Sequence, residues 1–219
     1  MAISEVFDCD CMEYMKTLPD KFFDLAIVDP PYFDGPDKLG YFGAKYSTTK
    51  VKRINYPEIG RWEIPDNTYF IELERVSNHQ IVWGINYFKY FPKSPGRIIW
   101  DKKNDSSTFS KAEIASCSQI ETVQMFRYMW NGMLQENMKD KEQRIHPTQK
   151  PVALYRWLLK NYAKPGDKIF DSHMGSQSIR IACHQMGFDF WGCELDEDYF
   201  KAGCERYENE AKQIRLFSC

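Results

Sequence analysis

The stretch Phe22-Phe23-Asp24-Leu25-Ala26-Ile27-Val28 runs straight into Asp29-Pro30-Pro31, and that junction limits the folds open to this chain. A short, nearly continuous apolar run is a strand covered on both faces, as in parallel sheets packed between helices. Two consecutive prolines remove two N–H donors and stop strand and helix alike, leaving a stiff loop at the strand's carboxyl end. The rest of the chain keeps the same rhythm. A helix is predicted from about Pro65, with Tyr69, Phe70, Leu73 and Val76 at helical spacing. Ile81-Val82-Trp83 and Arg97-Ile98-Ile99-Trp100 read as strands. Val152 to Ala163 is a helix closed by Pro165-Gly166. A strand over 167–171, a helix over 176–186, a strand over 188–195 and a charged helix from Asp196 to about Ile214 complete the pattern. Alternation of this kind predicts an α/β fold: one Rossmann-like domain spanning 1–219, its mostly parallel twisted sheet covered by helices on both faces.

Two stretches break the alternation, residues 34–62 and 125–145. The first carries Lys38, Lys45, Lys50, Lys52, Arg53 and Arg61 among Tyr41, Tyr46, Tyr56 and Trp62; the second carries Arg127, Lys139, Lys141 and Arg144. Loops of this length in a compact domain tend to serve a function. The formal net charge is only -2, which removes the strongly basic type of nucleic-acid binder but not a local basic patch. Seven scattered cysteines, an odd number, suit reduced thiols and a cytoplasmic location. Cys9-Asp10-Cys11 is too tight for a zinc pair, so no metal is expected. No signal-like leader or membrane-length apolar run is present, and no membrane partner is expected.

The chemistry sits toward the two ends of the chain. Asp29-Pro30-Pro31-Tyr32 combines a carboxylate, a proline-fixed carbonyl and an aromatic ring. Two acceptors aimed at one NH₂ group favour a pyramidal, nucleophilic nitrogen, and a nearby carboxylate helps most as positive charge develops there. Residues 167–195 form a second pattern. A strand ends at Asp171, a small-residue turn passes Gly175-Ser176, and the next strand ends at Glu194. Glycine allows close backbone approach to a ligand, and an acid about 20 positions on can hold ribose hydroxyls.

In these residues the sequence resembles the DNA amino-methyltransferases, which move a methyl group from S-adenosylmethionine to adenine N6 or cytosine N4. Asp29-Pro30-Pro31-Tyr32 matches their catalytic motif, and Phe170-Asp171-Ser172-His173-Met174-Gly175-Ser176 their cofactor loop. His146-Pro147-Thr148-Gln149-Lys150-Pro151 matches the segment that leads into that loop. With the catalytic motif first, the order is that of the permuted β group. The resemblance implies S-adenosyl-L-methionine as cofactor and DNA as partner, and it makes Asp29, Pro30, Pro31 and Tyr32 the catalytic set. By the same likeness Asp8 contacts the cofactor's adenine, and Cys9 beside it, in Phe7-Asp8-Cys9, belongs to the cofactor-binding set. Asp171, His173, Gly175 and Ser176 line the methionine side, and Glu194 the ribose. His146, Thr148, Gln149 and Lys150 close over the amino-acid end. A homodimer is one expectation for the assembly.

The target base must leave the duplex to reach a methyl donor, with Tyr32 as its stacking platform. Asp-Pro-Pro-Tyr within this family points to adenine. Cytosine N4, an RNA amine and a catalytically weak binding module are the alternatives. One departure from the family pattern stands out: Gln177 occupies the place of a second glycine, where a side chain must turn away or take ligand space.

Overall fold

A computed structural model describes residues 2–32, 62–90, 92–105, 110–131 and 134–217, with side chains up to residue 212. Apart from Trp62, the stretch 34–62 lies outside the described residues. The sheet strands are β1 (Ser4–Asp8), β2 (Phe23–Val28), β3 (Ser77–Trp83), β4 (Arg97–Asp101), β5 (Ala112–Cys117), β6 (Val123–Arg127), β9 (Lys168–Asp171) and β10 (Asp189–Glu194). Two short strands, β7 (Trp130–Asn131) and β8 (Leu134–Gln135), pair apart from them. The helices are α1 (Cys11–Lys16), α2 (Asn67–Val76), α3 (Val152–Tyr162), α4 (Ser178–Met186) and α5 (Glu197–Phe217).

The eight-stranded sheet has the order β1-β10-β9-β2-β3-β5-β4-β6. Every pairing is parallel except those of β5, which runs against β3 and β4. β2 shows why the sheet is buried on both sides. Leu25 and Ile27 join a core with Leu154 and Leu158 of α3 and Ile179 and Ala182 of α4. Ala26 and Val28 face a second core built from Met15 of α1 and Phe70, Leu73 and Val76 of α2. Each fully buried leucine contributes about 1.5–3 kcal/mol.

Local sequence sets the helix ends. Asp66 caps α2, accepting from the Thr68 amide at 2.8 Å. The first amide of α3, that of Val152, is capped from a distance by Glu142 Oε1 at 2.9 Å. The sequence-based pattern lacks β1, α1, β5 and β6 and the short pair β7 and β8. Residues 125–127 belong to β6 rather than to a loop.

The connections β2–α2–β3 and β9–α4–β10 start from adjacent parallel strands and diverge to opposite sides. Their divergence opens a crevice beyond the carboxyl ends of β2 and β9, which is where open α/β sheets bind ligands. Asp29 follows β2 and Asp171 ends β9, so both sequence motifs converge on that crevice.

Candidate active site

A cavity of about 580 Å³ occupies the crevice, within the ordinary range of ligand sites. It is lined by Cys9, Asp29, Pro30, Pro31, Tyr32, His146, Thr148, Gln149, Lys150, His173, Gly175, Ser176 and Glu194, which are thirteen of the fifteen residues singled out from sequence. Asp8 and Asp171 are the exceptions. Asp8 closes β1 with an exposed side chain, whereas Asp10, two residues later, stands at the cavity and caps α1. The structure therefore brings Asp10 of the second Asp-Cys pair, rather than Asp8 of the first, to the cavity. Asp171 is buried beneath the loop, where its Oδ1 accepts from the His173 amide at 3.0 Å. Burial pushes its carboxyl up to about 8, against the pull of that amide.

At one end of the cavity lies Asp29. Its Oδ2 pairs with the ammonium of Lys150, which is 2% exposed and reaches Glu113 Oε2 at 2.9 Å. Lys102 Nζ meets Glu113 Oε1 at 2.5 Å. Asp29 Oδ1 is buried and has no hydrogen-bond partner among the described residues. Burial raises the Asp29 carboxyl above its ordinary range, with Lys150 opposing. For Glu113 burial acts upward too, but Lys150 and Lys102 outweigh it and hold the group at about 2. Burial would lower the Lys150 ammonium, and Asp29 and Glu113 instead raise it.

The Tyr32 ring stacks on Tyr87, with centroids 4.5 Å apart and planes 4° apart. This fit depends on Gly84, since a Cβ there would lie 2.4 Å from Tyr32 Cδ1, and its φ of +69° favours glycine as well. Gly84 and Tyr87 belong to the site by contact, although no motif marks them.

The opposite end is built from the β9–α4–β10 unit. Glu194 accepts from the Gly175 amide at 2.7 Å and the Asp196 amide at 3.0 Å. Burial raises its carboxyl, with those amides opposing. His173 bonds through Nδ1 to Ser172 Oγ at 2.8 Å, and Ser172 Oγ meets the Tyr69 hydroxyl at 2.6 Å. Burial lowers His173 to about 4, so its imidazole is neutral near pH 7.

The loop before α3 closes the side. His146 stacks on Trp62 and meets Tyr199 edge-on. Burial, then Lys150 and Arg144, lower His146 to about 3. Thr148 Oγ1 lies 3.1 Å from His146 Nδ1. The Gln149 side chain is engaged within its own loop, accepting from the Ile145 amide at 2.9 Å and donating to the Gln143 carbonyl at 3.0 Å.

Gln177 does not line the cavity. It holds a left-handed backbone, φ 56°, and sends its side chain between α4 and α5. There it donates to the Phe200 carbonyl at 3.2 Å and accepts from Arg180 at 2.8 Å. Gly203 makes room, because a Cβ at that position would lie 2.7 Å from Gln177 Cγ. Of the two courses open to it from sequence, the side chain takes the first and turns away from the ligand space.

A parallel α/β sheet with an acid-flanked cavity at its switch point is the architecture of Rossmann-like methyltransferases, and the similar solved structures are of that kind. M1.HpyAVI, solved in complex with SAM, superposes with a TM-score of 0.55 at 17% identity, covering 92% of this chain and 98% of that one. The PvuII DNA methyltransferase, described as cytosine-N4-specific, gives 0.57 at 12% identity over 96% and 92%. In sequence, the chain is 28% identical to the type II methyltransferase M2.DpnII of Streptococcus pneumoniae, over 92% of this chain and 88% of that one. M.HinfI of Haemophilus influenzae is 21% identical over 93% and 68%. A family model for the N6/N4 methyltransferases, described as DNA methylase, matches residues 80–205. The chain belongs to this family of DNA amino-methyltransferases.

Proposed function

We propose that this chain methylates the exocyclic N6 amine of adenine in DNA, with S-adenosylmethionine as methyl donor. The observation that carries the reading is Asp29 Oδ1, a buried acceptor without a partner among the described residues, on a residue that lines the cavity. A buried polar atom left unsatisfied is costly unless a ligand completes it, and an amine N–H is the natural donor to a carboxylate oxygen. The Pro30 carbonyl supplies the second acceptor, and Tyr32, backed by Tyr87, supplies the platform for the extruded base.

The residues present also suit the cofactor. Glu194 would take the ribose hydroxyls, while Gly175 and Ser176 provide backbone at the loop. His173, His146 and Thr148 present neutral polar and ring surfaces that do not repel a cationic ligand. When bound, S-adenosylmethionine supplies an electrophilic methyl group on a sulfonium. Asp29 then has two tasks: it orients the amine and stabilises the positive charge growing on its nitrogen. No strong base is needed beforehand, which agrees with a neutral His173.

Adenine is favoured over cytosine by the Asp-Pro-Pro-Tyr form of the motif. The test is incubation of the protein with labelled S-adenosylmethionine and, in separate reactions, duplex DNA and RNA, followed by digestion to nucleosides. N6-methyl-2′-deoxyadenosine as the labelled product is the expected result. Labelled N4-methyl-2′-deoxycytidine would overturn the choice of base, and label in RNA but not DNA would overturn the choice of polymer.

A further inference from the structure

We propose that Glu113 is a positioning residue for methyl transfer, acting through Lys150 on the catalytic carboxylate of Asp29. The inference rests on the proposed function and extends it to a residue in none of the three sequence motifs.

β5 alone runs against its neighbours, so its beginning lies at the same edge of the sheet as the carboxyl ends of β2 and β3. Ala115 pairs with Trp83, the last residue of β3, and Glu113 stands two residues beyond that pair, opposite Trp100. A parallel strand would present its far end here. Reversal therefore delivers a carboxylate to the floor of the site.

That carboxylate divides the Lys150 ammonium. Lys150 lies 5.5 Å from the centroid of the Trp83 ring and is anchored by its loop, where the Gln149 carbonyl accepts from Trp130 Nε1 at 2.8 Å. From there it contacts Asp29 Oδ2 and Glu113 Oε2 together. With one partner on each side the ammonium stays clear of Asp29 Oδ1, which remains open to a substrate amine. The charges also balance: Asp29 and Glu113 against Lys150 and Lys102. Without Glu113 the group would carry an excess positive charge beside an amine that itself becomes cationic, and like charge in a site of low dielectric is unfavourable.

Glu113→Gln in the full-length protein tests this, with two readouts. In steady-state methylation of duplex DNA, kcat should fall about 10–100-fold, the scale expected when a reacting group is misplaced. KM for DNA and calorimetric affinity for S-adenosylmethionine should stay within about threefold, since neither ligand touches Glu113. In the second readout, carboxyl carbon NMR follows the titration of Asp29. The groups facing Asp29 are Lys150, Glu113, Lys102, Asp171, Tyr69 and Tyr155. Glu113 pushes Asp29 upward among them, so its removal should move the Asp29 midpoint to lower pH, and the acid limb of kcat with it. Glu113→Asp keeps the charge on a shorter arm, and should give an intermediate kcat with the acid limb near that of the wild type.

Wild-type kcat in Glu113→Gln, or an unmoved Asp29 midpoint, overturns the proposal. Should the Gln variant fail to fold, Glu113→Asp decides: a lowered kcat at unchanged KM supports it, and an unchanged kcat overturns it. If the wild type methylates no DNA, the proposed function falls. The Asp29 titration still judges the coupling by itself.

Discussion

The two ends of the cavity are held by different kinds of force. Around Asp29, four charged side chains from separate parts of the chain pair with one another: Asp29 after β2, Lys102 after β4, Glu113 in β5 and Lys150 before α3. Around Glu194, one contiguous strand–helix–strand unit supplies most contacts, and these run between backbone amides and carboxylates. Backbone bonds contribute about 0.5–1.5 kcal/mol each, and losing one leaves the others in place. Removing one partner of a buried ion pair commonly costs about 3–5 kcal/mol, because the survivor is stranded. The Asp29 end is thus tuned and fragile, the Glu194 end redundant and robust.

Substitution at Asp29 should break the contrast most visibly. Asp29→Ala is expected to lower kcat on DNA by about 10²–10³-fold, the usual loss for one preorganised electrostatic group. Affinity for S-adenosylmethionine, measured by calorimetry, should change little because the Glu194 end is built independently. A parallel loss of cofactor affinity would show that the ends are not separate.

A second, smaller effect separates the ends by pH. Burial places the Asp171 carboxyl at about 8 in the folded chain, against 3.8 as its ordinary value. Between those values the folded chain binds a proton that the unfolded chain has lost, so stability should decline as pH rises and level off above about 8. The slope from one such group is at most about 1.4 kcal/mol per pH unit. Glu113, held at about 2 against 4.5, works in the opposite direction: its contribution is present above about 4.5 and disappears toward pH 2. His146 and His173, held at about 3 and about 4 against 6.5, add stability as pH rises toward 6.5, so melting temperatures should fall with rising pH only from about pH 7 to 8, and Asp171→Asn should flatten the curve there. A wild-type curve flat over that range would contradict the assignment.

The smallest effect is expected at Gln177. Gln177→Gly relieves a left-handed backbone, worth about 1 kcal/mol, but removes the bonds to Phe200 and Arg180 and empties the space against Gly203. Thermal stability should drop slightly, while cofactor affinity should stay within about twofold. Clearly tighter cofactor binding would mean that the side chain obstructs the site after all.

The same contrast explains what could be read from the sequence. The Glu194 end was legible because its parts are contiguous: Asp171, Gly175 and Glu194 belong to one unit with a recognisable rhythm. Asp29-Pro30-Pro31-Tyr32 was legible because four adjacent residues carry the pattern. Glu113 and Lys102 were not, since only tertiary structure brings them to Asp29, and β5 was hidden by the small residues of Ala112-Glu113-Ile114-Ala115-Ser116-Cys117. β6 escaped notice for a different reason. Val123 and Met125 of this edge strand are exposed, which leaves no buried face for periodicity to reveal. That Asp10 rather than Asp8 reaches the cavity was not legible, because the two Asp-Cys pairs are identical and only the start of α1 tells them apart.

The sheet order also governs when the protein can begin to work during synthesis. β1 pairs with β10 and β2 with β9, and Asp29 lies 121 positions before its partner Lys150. At roughly 5–20 residues per second on a ribosome, several seconds or more separate the emergence of β2 from that of β9. Through that interval Leu25 and Ile27 lack part of their cover, and one edge of β2 has no neighbour. Contacts this distant in sequence also slow folding, since loop closure must precede their reward. The parts of the Asp29 end are all synthesised once Lys150 is made, but the two ends of the site first meet only when Glu194 has left the ribosome.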